Sequence, residues 1–149
     1  MWTNTCCSHP EHTPSEMETD RDWIGPRLAA QRRTQFELGI GLDLLDLHCG
    51  ARILYEAPAD ETFMEYELDY IIFAKVEAGG FELNPTEVMA TEYVGLRDLD
   101  DFLADKARHG EQVTPWFKLI KNSKLPEWWA RLEAKGSFPM EAETILRYM

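Results

Sequence analysis

Apolar and polar positions along the chain repeat at helical spacing in some segments and alternate in others, which predicts interleaved helices and strands. Helices are predicted over residues 25–38, 99–108, 114–120 and 126–132, strands over residues 52–55, 64–76 and 92–94, and turns at residues 58–61 and 84–85. Residues 1–149 are therefore expected to form one domain, an α+β or α/β sandwich of modest size.

Glycine and proline mark the ends of the first predicted helix. Gly25-Pro26 is expected to open it, because proline suits the first helical turn, and Gly39 is expected to stop it after Leu38. The preceding residues, 11–22, are polar and are expected to form a loop.

The strand predicted over residues 64–76 changes character along its length. Its first half places Glu65, Glu67 and Asp69 on one face and Tyr66, Leu68 and Tyr70 on the other, and residues 71–74 are continuously apolar, as in a strand buried on both faces. Like charges on one face repel by up to about 1 kcal/mol for direct neighbours. The three carboxylates therefore indicate either a solvated edge face or a divalent metal site. The apolar run after Asp69 places them at the mouth of a cleft and favours the metal site.

Charge and hydropathy exclude some classes of function. Lys and Arg number 15 against 27 Asp and Glu, a formal charge of −12 in 149 residues. This balance argues against a nucleic-acid-binding protein, because no excess of basic residues neutralises phosphates. No stretch approaches the roughly 20 apolar residues of a membrane span, and the N-terminus has no signal pattern. A small anionic ligand needs only a few local cations and stays open.

The cysteines do not have the spacing of a disulfide framework. Cys6 and Cys7 are adjacent and Cys49 is distant, so a reducing environment with at least one free thiol is expected. Cys7 and His9 fall on the same side of an extended segment, and together with the acidic strand they suggest a mixed nitrogen and oxygen site for a first-row divalent ion. Cys7 itself is either a buried structural thiol or a nucleophile or proton donor.

The first predicted helix carries two adjacent arginines. Arg33 and Glu37 are four residues apart and share a face. Arg32 and Arg33 would ordinarily be a solvated pair of charges, but a diphosphate bridged by metal is a candidate ligand because guanidinium groups bind phosphate oxygens well.

The other aromatic and histidine residues carry weaker signals. Trp116 follows Thr114-Pro115, an expected N-cap and first-turn proline, and a tryptophan there is more often a packing residue than a functional one. Trp128 and Trp129 are expected in the core or a lid, and the surface histidines are expected to be His12, His48 and His109.

Several motifs together resemble the type I isopentenyl-diphosphate delta-isomerase family. The segment Trp2-Thr3-Asn4-Thr5-Cys6-Cys7-Ser8-His9-Pro10 is similar to the signature of that family. The match continues in order through Arg32-Arg33-x-x-x-Glu37-Leu38-Gly39-Ile40, Tyr55, Glu65-x-Glu67 with Asp69-Tyr70, and Thr114-Pro115-Trp116-Phe117, and it reaches the terminal Tyr148-Met149. The resemblance therefore covers essentially the whole chain.

The family has the Nudix fold, which implies a mixed sheet packed between helices. Residues 32–40 resemble a degenerate Nudix box in which Arg33 and Phe36 replace two acidic residues that serve hydrolysis, while Glu37 is kept. This departure fits an isomerase and disfavours a Nudix diphosphohydrolase, one alternative function. The other alternative is a non-catalytic Nudix-like remnant that acts as a binding module, which has no need of the combination Cys7, Tyr55, Glu67 and Trp116.

The resemblance implies interconversion of isopentenyl diphosphate and dimethylallyl diphosphate in isoprenoid biosynthesis. Cys7 and Glu67 would lie on opposite faces of the substrate, one protonating the terminal alkene carbon and the other removing an allylic proton. Tyr55 would hydrogen-bond near Glu67, and Trp116 would lie against the tertiary carbocation. Arg33 would bind the diphosphate. Such a cation demands a dry pocket with a π face.

The resemblance also implies two divalent metals. His9, Glu65 and Glu67 would ligate one of them (Mg²⁺, Mn²⁺ or Zn²⁺), and Glu37 would help to hold the Mg²⁺ that binds the diphosphate. In the family, a segment before the Trp2 motif supplies two further histidine ligands, basic residues and early strands. We therefore expect a Nudix-type domain that is incomplete at its N-terminal side, with an open sheet edge and weak or no activity of its own.

The expected partner is a small-molecule diphosphate, with no nucleic acid and no membrane. The chain is expected to be a monomer, unless a partner chain supplies the missing segment. A cytoplasmic location is expected, with the peroxisome and plastid left open, although Arg147-Tyr148-Met149 is not a peroxisomal address of the Ser-Lys-Leu type.

Overall fold

The computed structural model describes residues 1–58, 62–77, 79–138 and 141–148, without the side chain of Arg21. The elements are α1 (Asp20–Leu38), β1 (Leu47–Pro58), β2 (Met64–Ala74), α2 (Leu99–Arg108), α3 (Pro115–Ser123), α4 (Leu125–Lys135) and β3 (Ile145–Tyr148), with a short 3-10 helix over Leu44–Asp46. The predicted α+β fold is confirmed, and it is compatible with part of a Nudix-like fold. The predicted turn residues Asp60 and Glu61 and the terminal Met149 lie outside the described residues.

The described strands form a three-stranded mixed sheet in the order β2-β1-β3. β1 and β2 are an antiparallel pair in which Tyr55 lies opposite Glu67 and Ile53 opposite Asp69. β3 pairs with β1 in parallel. Because directly paired residues project to the same side of a sheet, Tyr55 and the acidic residues of β2 share one face.

That shared face carries the hydrophobic core. The buried cluster combines Ala51, Ile53, Tyr55 and Ala57 of β1 with Ile120 of α3 and Trp128 of α4. Trp128 is only 2% exposed, and its ring lies edge-on to Phe73 at 5.5 Å, so the prediction that Trp128 packs in the core is confirmed. Trp129 is half-buried.

The opposite face of the sheet is covered at one end by the beginning of α1. The centroid of the Trp23 ring lies 5.7 Å from that of Tyr70 and 4.2 Å from Cζ of the Arg52 guanidinium. Helices therefore pack on both faces of the sheet, as the predicted sandwich requires.

The predicted start of the first helix is wrong. α1 begins at Asp20, so Pro26 lies inside it, and the polar loop ends before residues 20–22. The first turn is irregular, with left-handed φ angles of 61° at Asp22 and 58° at Trp23. Pro26 has no N–H to donate to the Asp22 carbonyl, and the Arg27 side chain donates to that carbonyl instead, at 3.4 Å.

The strand predicted over residues 92–94 is also wrong, since these residues form no strand in the structure. The predicted strand 64–76 ends at Ala74, and residues 71–74 are half-buried, because β2 lies at the edge of the described sheet. By contrast, α2 has the predicted bounds, and the turn after Asn84 is present, with the Asn84 carbonyl accepting from Glu87 and Val88.

The C-terminal end of α1 is closed by a distant segment. Gly39 caps the helix, as predicted, with a left-handed φ of 70°. The carbonyls of Leu38 and Glu37 then accept hydrogen bonds from the backbone N–H groups of Glu82 (3.0 Å) and Asn84 (2.9 Å). Residues 82–84 are thereby fixed against the end of α1.

We predict that Gly39→Ala destabilises the protein more than Gly136→Ala does. Both glycines cap helices in the left-handed conformation, where alanine costs roughly 1–2 kcal/mol. A Cβ at Gly39 would lie 2.6 Å from the Glu82 Cβ, whereas one at Gly136 would meet nothing within 4 Å. The overlap should add about 1 kcal/mol or more to the loss, measured by urea unfolding. Equal losses would mean that residues 82–84 are not held against α1.

Candidate active site

The acidic side chains of β2 lie on the inner face of the hairpin. Glu65, Glu67 and Asp69 are half-buried, while Tyr66 and Leu68 on the outer face are 60% and 39% exposed. The alternation therefore has its apolar members outside and its carboxylates inside, the reverse of an ordinary edge strand. The Glu67 side chain is still 43% exposed, so the inner face of β2 is partly buried and remains open to solvent at Glu67.

Tyr55 lies beneath these carboxylates. The residue is 1% exposed, and its hydroxyl donates toward Glu65 Oε2 at 3.3 Å and Glu67 Oε2 at 3.2 Å. A phenol has one hydrogen, so the two acceptors share it. Burial, followed by the charges of Asp69, Glu67 and Glu65, raises the pKa of the Tyr55 hydroxyl well above its usual range, which keeps the hydroxyl protonated as a donor.

Asp69 shows the electrostatic cost of this arrangement. Burial raises the pKa of its carboxyl to about 6, and the negative charges of Glu67 and Glu65 act in the same direction. His9 acts in the opposite direction, lowering that pKa. The inner face of β2 thus carries more negative charge than its described surroundings neutralise.

The N-terminal segment brings a thiol and an imidazole to this acidic face. His9 Nε2 lies 3.8 Å from Glu67 Oε1, with the His9 side chain 85% exposed. Cys7 is an exposed residue with a partly desolvated thiol, which raises its pKa to about 11, and the charges of Asp69, Glu67, Glu37 and Glu65 act in the same direction. Cys7 is therefore protonated at neutral pH beside the carboxylates of β2.

Hydrogen bonds between residues 2–4 and residues 112–116, together called the strap, hold this segment against the beginning of α3. Trp2 pairs with Val113 in a parallel bridge, and the Asn4 side chain donates to the Cys6 carbonyl at 2.6 Å. The same side chain accepts from Trp116 Nε1 at 3.2 Å. Trp116 is half-buried against the core cluster, so Asn4 links the predicted aromatic residue to the cysteine pair.

Thr114 takes the predicted N-cap position of α3 but makes no capping hydrogen bond with its side chain. Its hydroxyl instead donates to Thr3 Oγ1 at 2.9 Å. The residue therefore reinforces the strap between the N-terminal segment and α3.

Arg33 and Glu37 form the predicted pair on one face of α1. Glu37 is 7% exposed, and its Oε1 accepts from Arg33 Nη2 at 2.6 Å and Nε at 2.9 Å. Burial, the Glu37 charge and a hydrogen bond to Glu37 raise the pKa of the Cys6 thiol to about 12, so Cys6 lies at this end of α1. The pair adjoins the cysteine segment.

Arg32 is not part of this arrangement. It binds Glu16 through Nε at 2.6 Å and Nη2 at 2.9 Å, and its Nη2 also reaches the His9 carbonyl at 3.3 Å. Adjacent residues of a helix face different directions, so the two arginines predicted as one site serve different loops.

The donor atoms fit a divalent cation in type. Imidazole nitrogen and carboxylate oxygen are ligands of first-row divalent ions, and a cation would relieve the repulsion that acts on Asp69. In the structure as described, no three His, Cys, Asp or Glu side chains are grouped closely enough to hold a metal. His9 and Glu67 are the members of the predicted set that form a close pair.

The remaining predictions on histidine, cysteine and membrane spans have clear outcomes. His12 and His109 are exposed, as predicted, but His48 is half-buried with its ring 5.2 Å from Phe138. Cys6, Cys7 and Cys49 are all free thiols. Across the described part of the chain, no helix is long and apolar enough to cross a membrane.

Two residues at the site, Asn4 and Glu87, were not assigned a role from sequence, and Asp69 was assigned only as a member of the acidic row. Asn4 and Glu87 act through contacts that span more than 50 residues, namely Asn4 with Trp116 and Glu87 with Arg33. No local pattern predicts such contacts. Asp69 carried a usable signal, because it continues the period-two row of Glu65 and Glu67 directly before the apolar residues.

We predict that Asp69→Asn stabilises the protein above pH 6. The folded-state pKa of Asp69 is about 6 against 3.8 for the free side chain, so the folded protein loses stability as the pH rises between those values. The variant should gain on the order of 1 kcal/mol at pH 7.5, after screening by solvent, and almost nothing at pH 4. Urea unfolding at both pH values tests this, with Glu56→Gln on the exposed outer face of β1 as the control. Parallel pH profiles for wild type and Asp69→Asn would contradict it.

Comparison with known proteins agrees with the motifs. No protein-family model matches the chain. An isopentenyl-diphosphate delta-isomerase of Gibberella zeae is 45% identical over 139 residues, which cover 90% of this chain and 53% of that protein. The isopentenyl-diphosphate Delta-isomerase II of Clarkia xantiana is 41% identical over 142 residues (92% and 48%), and the isopentenyl-diphosphate Delta-isomerase 1 of Mesocricetus auratus is 41% identical over 141 residues (92% and 61%).

The chain thus spans about half to three fifths of the length of these curated relatives. The match nevertheless includes nine tenths or more of the chain itself, and the resemblance inferred from the motifs is confirmed. By sequence, the chain is similar to isopentenyl-diphosphate delta-isomerases over nine tenths of its own length.

Proposed function

We propose that this chain carries the chemistry of an isopentenyl-diphosphate delta-isomerase, interconverting isopentenyl and dimethylallyl diphosphate. The observation that supports this most directly is the hydrogen bond from the buried Tyr55 hydroxyl to Glu67 at 3.2 Å, in a site where His9 lies 3.8 Å from Glu67 and the negative charge of Glu67 contributes to the raised pKa of Cys7. The relatives that match nine tenths of the chain are named as isomerases of this substrate.

The proposed reaction moves one proton on and one proton off the carbon skeleton. Protonation of the terminal alkene carbon leaves a tertiary carbocation, and removal of an allylic proton restores a double bond in the new position. Cys7 and Glu67, on opposite faces of the substrate, perform the two transfers. Burial raises the pKa of Cys7 to about 11, so the thiol carries a proton, and the Glu67 carboxyl accepts a hydrogen bond from the Tyr55 hydroxyl. A reversible shift requires one group that gives a proton and one group that takes a proton.

Trp116 is proposed to stabilise the carbocation with its π face. Cation–π attraction can reach about 2 kcal/mol or more when water is excluded. The strap through Asn4 supports this role, because the indole N–H is bound to Asn4 and the ring is kept beside the cysteine segment. A ring fixed in advance loses little entropy when the cation forms.

The proposed metal ligands are His9, Glu65 and Glu67, with Glu37 assisting the Mg²⁺ that accompanies the diphosphate, and the substrate's phosphate oxygens meet Arg33. A bound divalent cation would supply positive charge that acidifies a protonated carboxyl and offsets the repulsion between carboxylates. Tyr55 orients the two glutamates through the hydrogen it shares between them. Glu37 is already paired with Arg33 through Oε1, so its other carboxylate oxygen would have to face the Mg²⁺.

We predict that the chain, given isopentenyl diphosphate and Mg²⁺ in deuterated water, places deuterium in dimethylallyl diphosphate at a low rate, as followed by NMR. Cys7→Ser and Glu67→Gln should each lower the rate of incorporation about a hundredfold or more, since general acid–base groups contribute 10²–10⁴. Cys6→Ser, which keeps a hydrogen-bond donor beside Glu37, and Glu56→Gln on the outer face are the matched controls.

The same samples separate the alternative functions. Release of inorganic phosphate from a nucleoside diphosphate would contradict the isomerase and indicate a Nudix hydrolase. Neither label nor phosphate, in a chain that is folded by circular dichroism and that stays silent after the upstream segment of a related isomerase is added, would favour a non-catalytic binding module.

We also predict that Mn²⁺ stabilises the wild-type chain at pH 7.5. A ligand that binds the folded state at a hundred times its dissociation constant adds about 2.7 kcal/mol, which thermal unfolding detects readily. His9→Gln and Glu65→Gln should remove most of this gain, and His12→Gln, an exposed histidine of the same segment, should keep it. A gain that is equal in all four proteins would refute the proposed ligand set.

A further inference from the structure

The guanidinium of Arg33 is held by two carboxylates that come from different parts of the chain. Glu37 of α1 accepts from Nε at 2.9 Å and Nη2 at 2.6 Å, and Glu87 accepts from Nη2 at 3.2 Å. The side chains of Arg33 and Glu37 are 19% and 9% exposed, and that of Glu87 is 38% exposed. Among the described residues, nothing accepts from Nη1.

Glu87 reaches Arg33 because its turn is docked on the end of α1. The Asn84 N–H donates to the Glu37 carbonyl at 2.9 Å, and the Asn84 carbonyl accepts from the Glu87 N–H at 3.0 Å. The Asn84 side chain also accepts from the backbone N–H and hydroxyl of Thr86, at 3.1 and 2.7 Å. The docked turn therefore fixes the backbone at Glu87, and the ion pair with Arg33 fixes its carboxylate.

A guanidinium is planar, so fixing two of its nitrogens fixes the third. Glu37 accepts from both Nε and Nη2 and Glu87 accepts from Nη2, which leaves Nη1 with two N–H donors in a set orientation. An arginine held in this way binds a phosphate oxygen with less loss of side-chain freedom than a free one.

We propose that Glu87 is a positioning residue, which holds the Arg33 guanidinium so that its Nη1 group meets the diphosphate of the substrate. The part of this inference that concerns the diphosphate rests on the proposed function. Glu87 acts through Arg33 and not on the reacting carbons. Its contribution is a hydrogen-bond acceptor at a fixed position, and its negative charge is not needed.

The test compares Glu87→Ala, which removes the acceptor, with Glu87→Gln, which keeps an oxygen in its place. Glu92→Ala, an exposed glutamate on the same irregular segment, is the matched control. NMR measures hydrogen exchange of the Arg33 guanidinium protons, and calorimetry measures the dissociation constant for isopentenyl diphosphate with Mg²⁺. Glu87→Ala should speed exchange and weaken binding about two- to fivefold, the size expected for a partly exposed ion pair. Glu87→Gln and Glu92→Ala should leave both values close to wild type.

Unchanged exchange in Glu87→Ala would overturn the proposal, as would unchanged or tighter substrate binding. A Glu87→Gln variant as weak as Glu87→Ala would overturn it as well, because charge rather than position would then matter. If the wild-type chain binds no isopentenyl diphosphate, the proposed function fails, and the exchange rates still decide whether Glu87 holds Arg33.

Discussion

Tyr55 of β1 lies directly opposite Glu67 of β2, and the candidate site depends on this register. Side chains alternate along a strand, so a slip of one residue would turn the carboxylates of β2 to the outside and bring Tyr66 and Leu68 into the core. The register is secured by apolar pairs further along the hairpin, where Ala51 lies opposite Ile71. Apolar packing at one end of β2 thereby offsets the repulsion between the carboxylates at the other end.

The second constraint is the placement of the N-terminal segment, which has no helix or regular strand of its own around the cysteines. Its position comes from the backbone bonds that join Trp2 to Gln112 and Thr114, and from the two hydrogen bonds of Asn4. The Thr114 hydroxyl also donates to Thr3, and Arg32 of α1 donates to the His9 carbonyl, so the segment depends on α1 and on α3, which is anchored in the core through Ile120. The thiol, the indole and the acidic strand are therefore coupled through one packed face of the sheet.

Sequence predicted the elements whose signals are local. The bounds of α2 and the end of α1 follow from helical period and from Gly39, which adopts the left-handed conformation that a helix cap requires. β3 was not predicted, because the four residues Ile145–Tyr148 are too few to show an alternating pattern. They form a strand by pairing with β1. Residues 92–94 have strand-forming side chains but no partner in the described sheet, which is why their propensity was misleading.

At the site, motif spacing identified Cys7, His9 and the glutamates of β2, and the structure places His9 Nε2 3.8 Å from Glu67 Oε1. Sequence did not separate Arg32 from Arg33, since only the packing of residues 11–16 and 84–88 shows that each arginine has a different acidic partner. Both guanidinium groups are already paired with carboxylates, in a chain with a formal charge of −12. A diphosphate that binds Nη1 of Arg33 also meets the negative charges of Glu37 and Glu87, so it must either displace one of these carboxylates or arrive with a counter-cation. The second course keeps the buried Glu37 paired, and it avoids the large cost of leaving a buried charge without a partner.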